Sequence, residues 1–157
     1  MKIYLIHHAT AFSADEDPER HLTPLGRDQA DRLGARLAAA GADPMRILHS
    51  DKQWVMETAQ RVAAAMDLSD RTAVAGYEIN TGEDLRPFMA DIENTNGDLM
   101  MVGHVDYLRR AAAKLMTGDE AAQVIAFKPD FGTAFCLEDE DGDWIVRFGW
   151  RQDDPAG

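Results

Sequence analysis

The sequence has few of the features that mark secreted, membrane or multidomain proteins. It contains a single cysteine, Cys136, so no disulfide can form within the chain. A lone cysteine fits a reducing compartment, and no signal-peptide pattern precedes the first apolar segment, so we expect a cytoplasmic protein. No apolar run approaches the ~20 residues of a membrane-spanning helix. Without repeats, linkers or low-complexity segments, residues 1–157 are predicted to form one domain.

Basic residues are also scarce. The 16 Lys and Arg residues stand against 28 Asp and Glu residues, which gives a formal net charge of −12. Nucleic acids and anionic membranes bind basic surfaces, so the sequence predicts neither as a partner. Many acidic residues lie in polar segments at 15–19, 138–143 and 153–154, where we interpret them as solvated charges. An anionic substrate would therefore need a locally positive pocket.

Strand-like and helix-like segments alternate along the chain. Short apolar segments predict strands at 3–6, 45–50, 72–75, 98–103, 124–127, 133–137 and 144–150. Amphipathic segments predict helices at 24–40, 52–66, 83–94 and 104–116, the first with Thr23 as its N-cap. The pattern predicts a three-layer α/β/α domain with a mostly parallel central sheet. Asp141-Gly142 indicates an antiparallel hairpin at the C-terminal edge.

The first strand leads into the main candidate site. His7 and His8 follow the apolar run at 3–6, where the strand should end, and His104 directly follows the apolar strand at 98–103. Ligands of open α/β sheets bind beyond the carboxyl ends of the strands. The alternative is one packed and one solvated histidine, because neighbours on a strand point to opposite faces. Histidines at two strand ends favour the functional interpretation.

In these residues the chain resembles the histidine phosphatase superfamily, which has the phosphoglycerate-mutase-like fold. Its size and layout are similar to the small SixA-type phosphohistidine phosphatases. LIHHAT at 5–10 stands where the family has its strand and Arg-His-Gly, and VGH at 102–104 matches the strand ending in the second catalytic histidine. LTPLGRDQA at 22–30 matches Leu-Thr-x-x-Gly-x-x-Gln-Ala. SDKQWVMETA at 50–59 stands where the family has Ser-Pro-x-x-Arg-Ala-x-Gln-Thr-Ala, and KPDFGTAFCLEDEDGDW at 128–144 resembles the closing hairpin.

The resemblance implies catalytic roles without a cofactor. His8 would be the nucleophile that takes the phosphoryl group, and His104 would hydrogen-bond the transferring oxygens. Glu78, with Asp84 as the alternative, lies where many relatives hold a proton donor, although a surface carboxylate is equally consistent with either residue. The implied substrate is a phosphorylated small molecule or a phosphohistidine protein. A phosphohistidine needs little protonation of its leaving imidazole.

The sequence departs from the family at its phosphate-binding positions. His7 and Trp54 replace the two arginines, and Ala9 replaces the motif glycine. A guanidinium binds phosphoryl oxygens bidentately and stays charged, whereas imidazole is mostly neutral at pH 7 and indole offers one neutral N–H. Losing both contacts could lower activity by roughly 10³-fold or more. Four other cations could border the pocket or be solvated: Arg20, Lys52, Arg86 and Lys128.

Three functions stay open at this stage. The first is a slow or degenerate SixA-like phosphatase that uses His8. The second is a catalytically dead pseudophosphatase that binds a ligand or partner protein, in which Trp54 narrows the pocket for an aromatic or apolar group. The third is a metal site built from His7, His8 and His104 with Glu78. The remaining histidines, His21 and His49, are interpreted as structural, and no oligomeric state is indicated.

Overall fold

The computed structural model describes residues 1–125 and 131–154. Its strands are β1 (Lys2–His7), β2 (Arg46–His49), β3 (Thr72–Val74), β4 (Leu99–Gly103), β5 (Ala134–Glu140) and β6 (Asp143–Trp150). Its helices are α1 (Pro24–Ala39), α2 (Gln53–Ala65), α3 (Arg86–Asn94) and α4 (Val105–Thr117), with one 3₁₀ turn at Ser69–Arg71. Among these residues, no helix combines the length and the apolar character needed to cross a bilayer.

The strands form one mixed sheet in the order β3-β2-β4-β1-β5-β6. The first four strands in this order are parallel to one another. β5 runs antiparallel to β1, and β6 runs antiparallel to β5. The predicted α/β class, with a mostly parallel sheet and a C-terminal edge hairpin, is confirmed. Asp141 and Gly142 make the two-residue hairpin turn with φ values of 56° and 94°. Two successive positive φ angles are typical of the turn that suits the twist of a hairpin.

Two apolar layers lie on opposite faces of the sheet. Tyr4 and Ile6 pack in the layer formed with α1 and α2, whereas Ile3 and Leu5 pack in the layer formed with α3 and α4. This division follows from the alternation of side chains along a strand. All four residues are buried, as expected for a central strand covered on both faces. β1 and β4 are therefore held side by side in the middle of the domain.

The start of α3 and the segment at 124–127 differ from the prediction. Helix α3 begins at Arg86 rather than at residue 83, because the Asp84 carboxylate accepts a hydrogen bond from the Arg86 N–H at 2.9 Å and the chain before it stays in a loop. The strand expected at 124–127 is not formed by Val124 and Ile125. Ile125 is buried against the α4 layer without joining the sheet. The rest of that segment lies outside the described residues.

Helix α1 begins as predicted and packs closely on the loop that follows β1. Thr23 Oγ1 accepts a hydrogen bond from the Gly26 N–H at 3.0 Å, and Pro24 occupies the first helical position. A Cβ atom at Gly26 would lie 2.0 Å from the Thr10 carbonyl oxygen. Glycine is therefore required by the close approach of α1 to the backbone just beyond the histidine pair.

We expect Gly26→Ala to lower the free energy of unfolding by about 2–3 kcal/mol, because either α1 or Thr10 must move to accept the methyl group. Gly76→Ala is the matched control, since a Cβ atom there meets nothing within 4 Å. Urea unfolding of both variants measures the difference. Equal stability of the two variants would contradict the close packing of α1 on this loop.

Candidate active site

The carboxyl ends of β1 and β4 bring three histidines into one cluster. His7 pairs with Gly103 in the parallel register, and the His8 N–H donates to the Gly103 carbonyl at 3.1 Å. The His8 ring centroid lies 4.7 Å from that of His7 and 5.2 Å from that of His104. The structure thus joins the residues that the sequence placed at two separate strand ends.

The His8 ring is held in one tautomer. Its Nδ1 lies 2.8 Å from the Ala9 carbonyl oxygen, and because a carbonyl only accepts, Nδ1 carries the proton. The residue is 7% exposed, and burial lowers the pKa of His8 to about 3, reinforced by His7, His104 and Arg20 although the Ala9 hydrogen bond opposes it. At neutral pH the ring is therefore uncharged, with a lone pair on Nε2.

His104 lies at the start of α4, with its carbonyl accepting the Leu108 N–H at 3.1 Å. Burial, then Lys52 and Arg20, lower the pKa of His104. Lys52 itself is the N-cap residue of α2. The N-termini of α2 and α4 add the positive ends of two helix dipoles to this edge of the sheet. His8 and His104 thus lie in a locally positive environment that lowers the pKa of each ring.

Two aromatic rings line the histidine cluster. The Trp54 ring centroid lies 6.3 Å from His8 and 6.1 Å from His104, edge-on to both. The Phe131 centroid lies 5.0 Å from His7 and 5.2 Å from His8. Trp54 was expected from its place in the α2 motif. Phe131 was missed, since it carries no polar group and its only signal is its position in the segment that resembles the closing hairpin.

The structure brings two of the four candidate cations to the site. The Arg20 guanidinium carbon lies 4.3 Å from the Trp54 ring centroid, and Lys52 acts on His104 electrostatically. The Arg86 side chain is 90% exposed and pairs with Asp84 at 2.7 Å. Lys128 lies outside the described residues.

The acidic loop before α1 has a structural role that its composition did not indicate. The half-buried Asp17 carboxylate accepts the Glu19 N–H at 3.1 Å, the His21 N–H at 2.9 Å and the His21 Nδ1–H at 2.7 Å. The hydrogen bonds from His21 are the main cause of the lowered pKa of Asp17. Interpreting 15–19 as solvated charges is therefore wrong for Asp17. These bonds fix the turn in which Arg20 adopts a φ of 56°.

Polar groups from α1 and α2 hold the backbone after His8. Gln29 Oε1 accepts hydrogen bonds from the Thr10 N–H and Oγ1–H, both at 2.9 Å. Thr58 Oγ1 accepts the Ala9 N–H at 3.0 Å and donates to the Trp54 carbonyl at 2.7 Å. Ala9 thus uses its N–H on Thr58 and its carbonyl on the His8 ring. It positions His8 through its backbone.

The two candidate proton donors lie in the loop between β3 and α3. Glu78 is exposed, accepts a hydrogen bond from Asn80 Nδ2 at 2.8 Å and lines a cleft of about 490 Å³ together with Ser50 and Asp51. Asp84 is exposed and binds Arg86. Within the described part of the chain, neither carboxylate is hydrogen-bonded to a histidine. Among the described residues, Glu78 and Asp84 therefore hydrogen-bond to groups outside the histidine cluster.

The remaining histidines have structural partners. His49 is buried and its Nδ1 donates to the Ser50 carbonyl at 2.8 Å, while His21 pairs with Asp17. Across residues 1–125 and 131–154, no three or more His, Cys, Asp or Glu side chains are grouped so as to hold a metal ion. The interpretation of His7, His8 and His104 as a metal site is thus not supported.

Solved structures with a similar fold are phosphatases by name. The protein histidine phosphatase SixA, solved in complex with tungstate, shares 19% sequence identity with this chain. The two structures superpose with a TM-score of 0.80 over 96% of this chain and 97% of that chain. A candidate phosphohistidine phosphatase SixA from Agrobacterium tumefaciens is 21% identical with a TM-score of 0.74, covering 95% and 97%. The alpha-ribazole phosphatase from Shigella flexneri is 16% identical with a TM-score of 0.67, covering 94% and 95%.

Sequence comparison places the chain in a family. No curated protein matches it. The family model described as Histidine phosphatase superfamily (branch 1) matches residues 3–86, more than half of the chain. That segment contains the first strand with its histidine pair and the motifs of α1 and α2. The structural similarity, which extends over nearly the whole length, agrees with the assignment. This chain therefore belongs to the histidine phosphatase superfamily, branch 1.

Proposed function

We propose that this protein is a slow SixA-like phosphatase in which His8 accepts the phosphoryl group of a phosphohistidine or a phosphomonoester. The observation that carries the proposal is the state of the His8 ring. Its Nδ1–H is held by the Ala9 carbonyl and its pKa is lowered to about 3, so Nε2 keeps a lone pair at physiological pH. An unprotonated ring nitrogen is the form of histidine that attacks phosphorus.

The reaction proceeds in two transfers. His8 Nε2 attacks phosphorus while the P–N or P–O bond of the substrate breaks, and the leaving group departs with the electron pair and takes a proton from water. Water then attacks the phosphohistidine, the P–Nε2 bond breaks, and phosphate leaves. His104, whose ring lies 5.2 Å from that of His8, donates a ring N–H to a phosphoryl oxygen during both transfers.

The charges around the cluster favour slow turnover and a good leaving group. Lys52, Arg20 and the N-termini of α2 and α4 provide positive potential. The side chains at positions 7 and 54 are an imidazole and an indole, so neither position supplies a guanidinium. Glu78 is exposed and bonded to Asn80, so little acid catalysis is expected from it. A phosphohistidine protein or a similar phosphoramidate is the substrate class that suits this site, because its leaving imidazole needs the least protonation.

Trapping the phosphorylated enzyme tests the proposal. The protein is incubated with phosphoramidate, and intact and peptide masses are measured at alkaline pH, where phosphohistidine survives. We expect one phosphoryl group on His8, absent from His8→Gln and present in His49→Gln, whose ring donates to the Ser50 carbonyl. Absence of both the adduct and phosphate release in the wild type would refute the proposed activity.

A catalytically inactive relative is the second candidate. Trp54 and Phe131 favour it, because they give the pocket aromatic walls where a phosphate site needs charge. Such a protein would bind a ligand or partner without turnover. Oxyanion binding without phosphorylation of His8 in the same trapping experiment would support this candidate.

A further inference from the structure

We propose that Arg20, carried on the face of Trp54, replaces the arginine missing from α2 as the guanidinium that binds phosphoryl oxygens. Trp54 would then be a positioning residue for Arg20. The inference rests on the proposed function for its substrate. It concerns oxyanion binding alone, so it can be tested separately from turnover.

The first observation is the stacking of the two side chains. The guanidinium carbon of Arg20 lies 4.3 Å from the Trp54 ring centroid, well inside the ~6 Å at which a cation is attracted to an aromatic face. Trp54 in turn lies against His8 and His104, at 6.3 and 6.1 Å between ring centroids. The guanidinium is thus placed next to the ring that borders both histidines, and its charge lowers the pKa of each.

The second observation is the backbone of Arg20. Its φ of 56° is in the left-handed region, which costs free energy for a residue with a side chain and is maintained only where the surroundings enforce it. Here the Arg20 N–H donates to the Asp17 carbonyl at 2.9 Å, and Arg20 Nε donates to the Phe12 carbonyl at 3.0 Å. The Nε bond fixes the plane of the guanidinium. It leaves the two terminal nitrogens as a donor fork.

The third observation is the absence of a neutralising carboxylate. Within residues 1–125 and 131–154, Arg20 makes no ion pair, whereas other arginines of this acidic protein do, including Arg46, Arg61 and Arg110. A half-buried guanidinium without a carboxylate keeps its charge available for an anion. Trp54 therefore does more than leave α2 without an arginine charge. Its ring supports the guanidinium of Arg20, which comes from the loop before α1.

Calorimetric titration of the whole chain, residues 1–157, with orthovanadate tests the inference. We expect Arg20→Gln to weaken vanadate binding by about 10- to 100-fold, the range for one charge-assisted contact. Arg61→Gln is the matched control, because it removes the same charge from an arginine of α2 that pairs with Asp31. We expect it to change the affinity by less than twofold. Thermal unfolding verifies that each variant is folded.

A double-mutant cycle tests the positioning role of Trp54. Trp54→Leu removes no charge, yet we expect it to weaken vanadate binding by about 3- to 10-fold because the guanidinium loses its platform. In the Arg20→Gln background the same change should have no effect. Trp54→Phe, which keeps a ring for stacking, should retain most of the affinity. Additive effects of the two substitutions would overturn the positioning role.

The outcomes separate the inference from the proposed function. If vanadate binding depends on Arg20 but His8 is never phosphorylated, the inference holds and the protein is an inactive relative. If His8 is phosphorylated but Arg20→Gln binds vanadate like the wild type, the inference is wrong and the phosphatase proposal stands. Failure of the wild type to bind vanadate at millimolar concentration would also overturn the inference.

Discussion

His8→Gln is expected to lower the rate of phosphate release from phosphoramidate by at least about 10³-fold, because the substitution removes the lone pair that attacks phosphorus. The side-chain amide of glutamine can still donate a hydrogen bond to the Ala9 carbonyl, so this carbonyl keeps a donor in the variant. Steady-state phosphate release and a single-turnover measurement of the phosphoenzyme together give the loss. The two rates show whether the chemical step itself is affected.

His104→Gln is the informative companion variant. His104 is expected to stabilise the phosphoryl oxygens without forming a bond to phosphorus, so its loss should cost about 10²-fold while the phosphoenzyme still forms. Equal losses for both variants, with no phosphoenzyme in either, would contradict the division of roles. Retention of wild-type turnover within tenfold by His8→Gln would rule out His8 as the nucleophile.

The sequence predicted the part of the site that depends on strand ends. His8 and His104 each follow an apolar strand, and parallel strands end at one edge of a sheet, so their proximity follows from the strand pattern and chain order. The start of α1 was equally predictable, since Thr23 and Pro24 act through local hydrogen bonding and a fixed φ. These features need no knowledge of distant contacts.

The loop contributions could not be predicted in this way. A loop has no periodicity, so Asp17 among its acidic neighbours looked like a solvated charge, and its hydrogen bonds to the following turn emerge only from the folded backbone. The contact of Arg20 with Trp54 joins residues 34 positions apart in two elements. The proton-donor role of Glu78 stays a prediction. Its exposed side chain accepts a hydrogen bond from Asn80, a contact that the sequence pattern did not indicate.

The same burial that keeps His8 neutral should make the protein sensitive to acid. The pKa of His8 falls from an ordinary 6.5 to about 3 on folding, so below pH 6.5 the unfolded chain binds a proton that the folded state excludes. Above pH 6.5 His8 is neutral in both states and its titration costs no stability. Between pH 6.5 and pH 3 the free energy of unfolding falls, because protonation favours the unfolded chain. Between pH 7 and pH 4.5 the free energy of unfolding should drop by roughly 2–3 kcal/mol from this residue alone.

Urea unfolding of the wild type and of His8→Gln at pH 7 and pH 4.5 isolates this contribution. Other groups are present in both proteins, including His104, whose pKa is also lowered by burial. The wild type should lose roughly 2–3 kcal/mol more than the variant over that interval. His21→Gln is the control of opposite sign. Its hydrogen bond to Asp17 raises the pKa of His21, so the protonated ring stabilises the fold at low pH and its removal should enlarge the acid loss. If His8→Gln and the wild type lose the same free energy, burial does not lower the pKa of His8 on folding, and the proposed nucleophile then rests on the Nδ1–H bond to the Ala9 carbonyl alone.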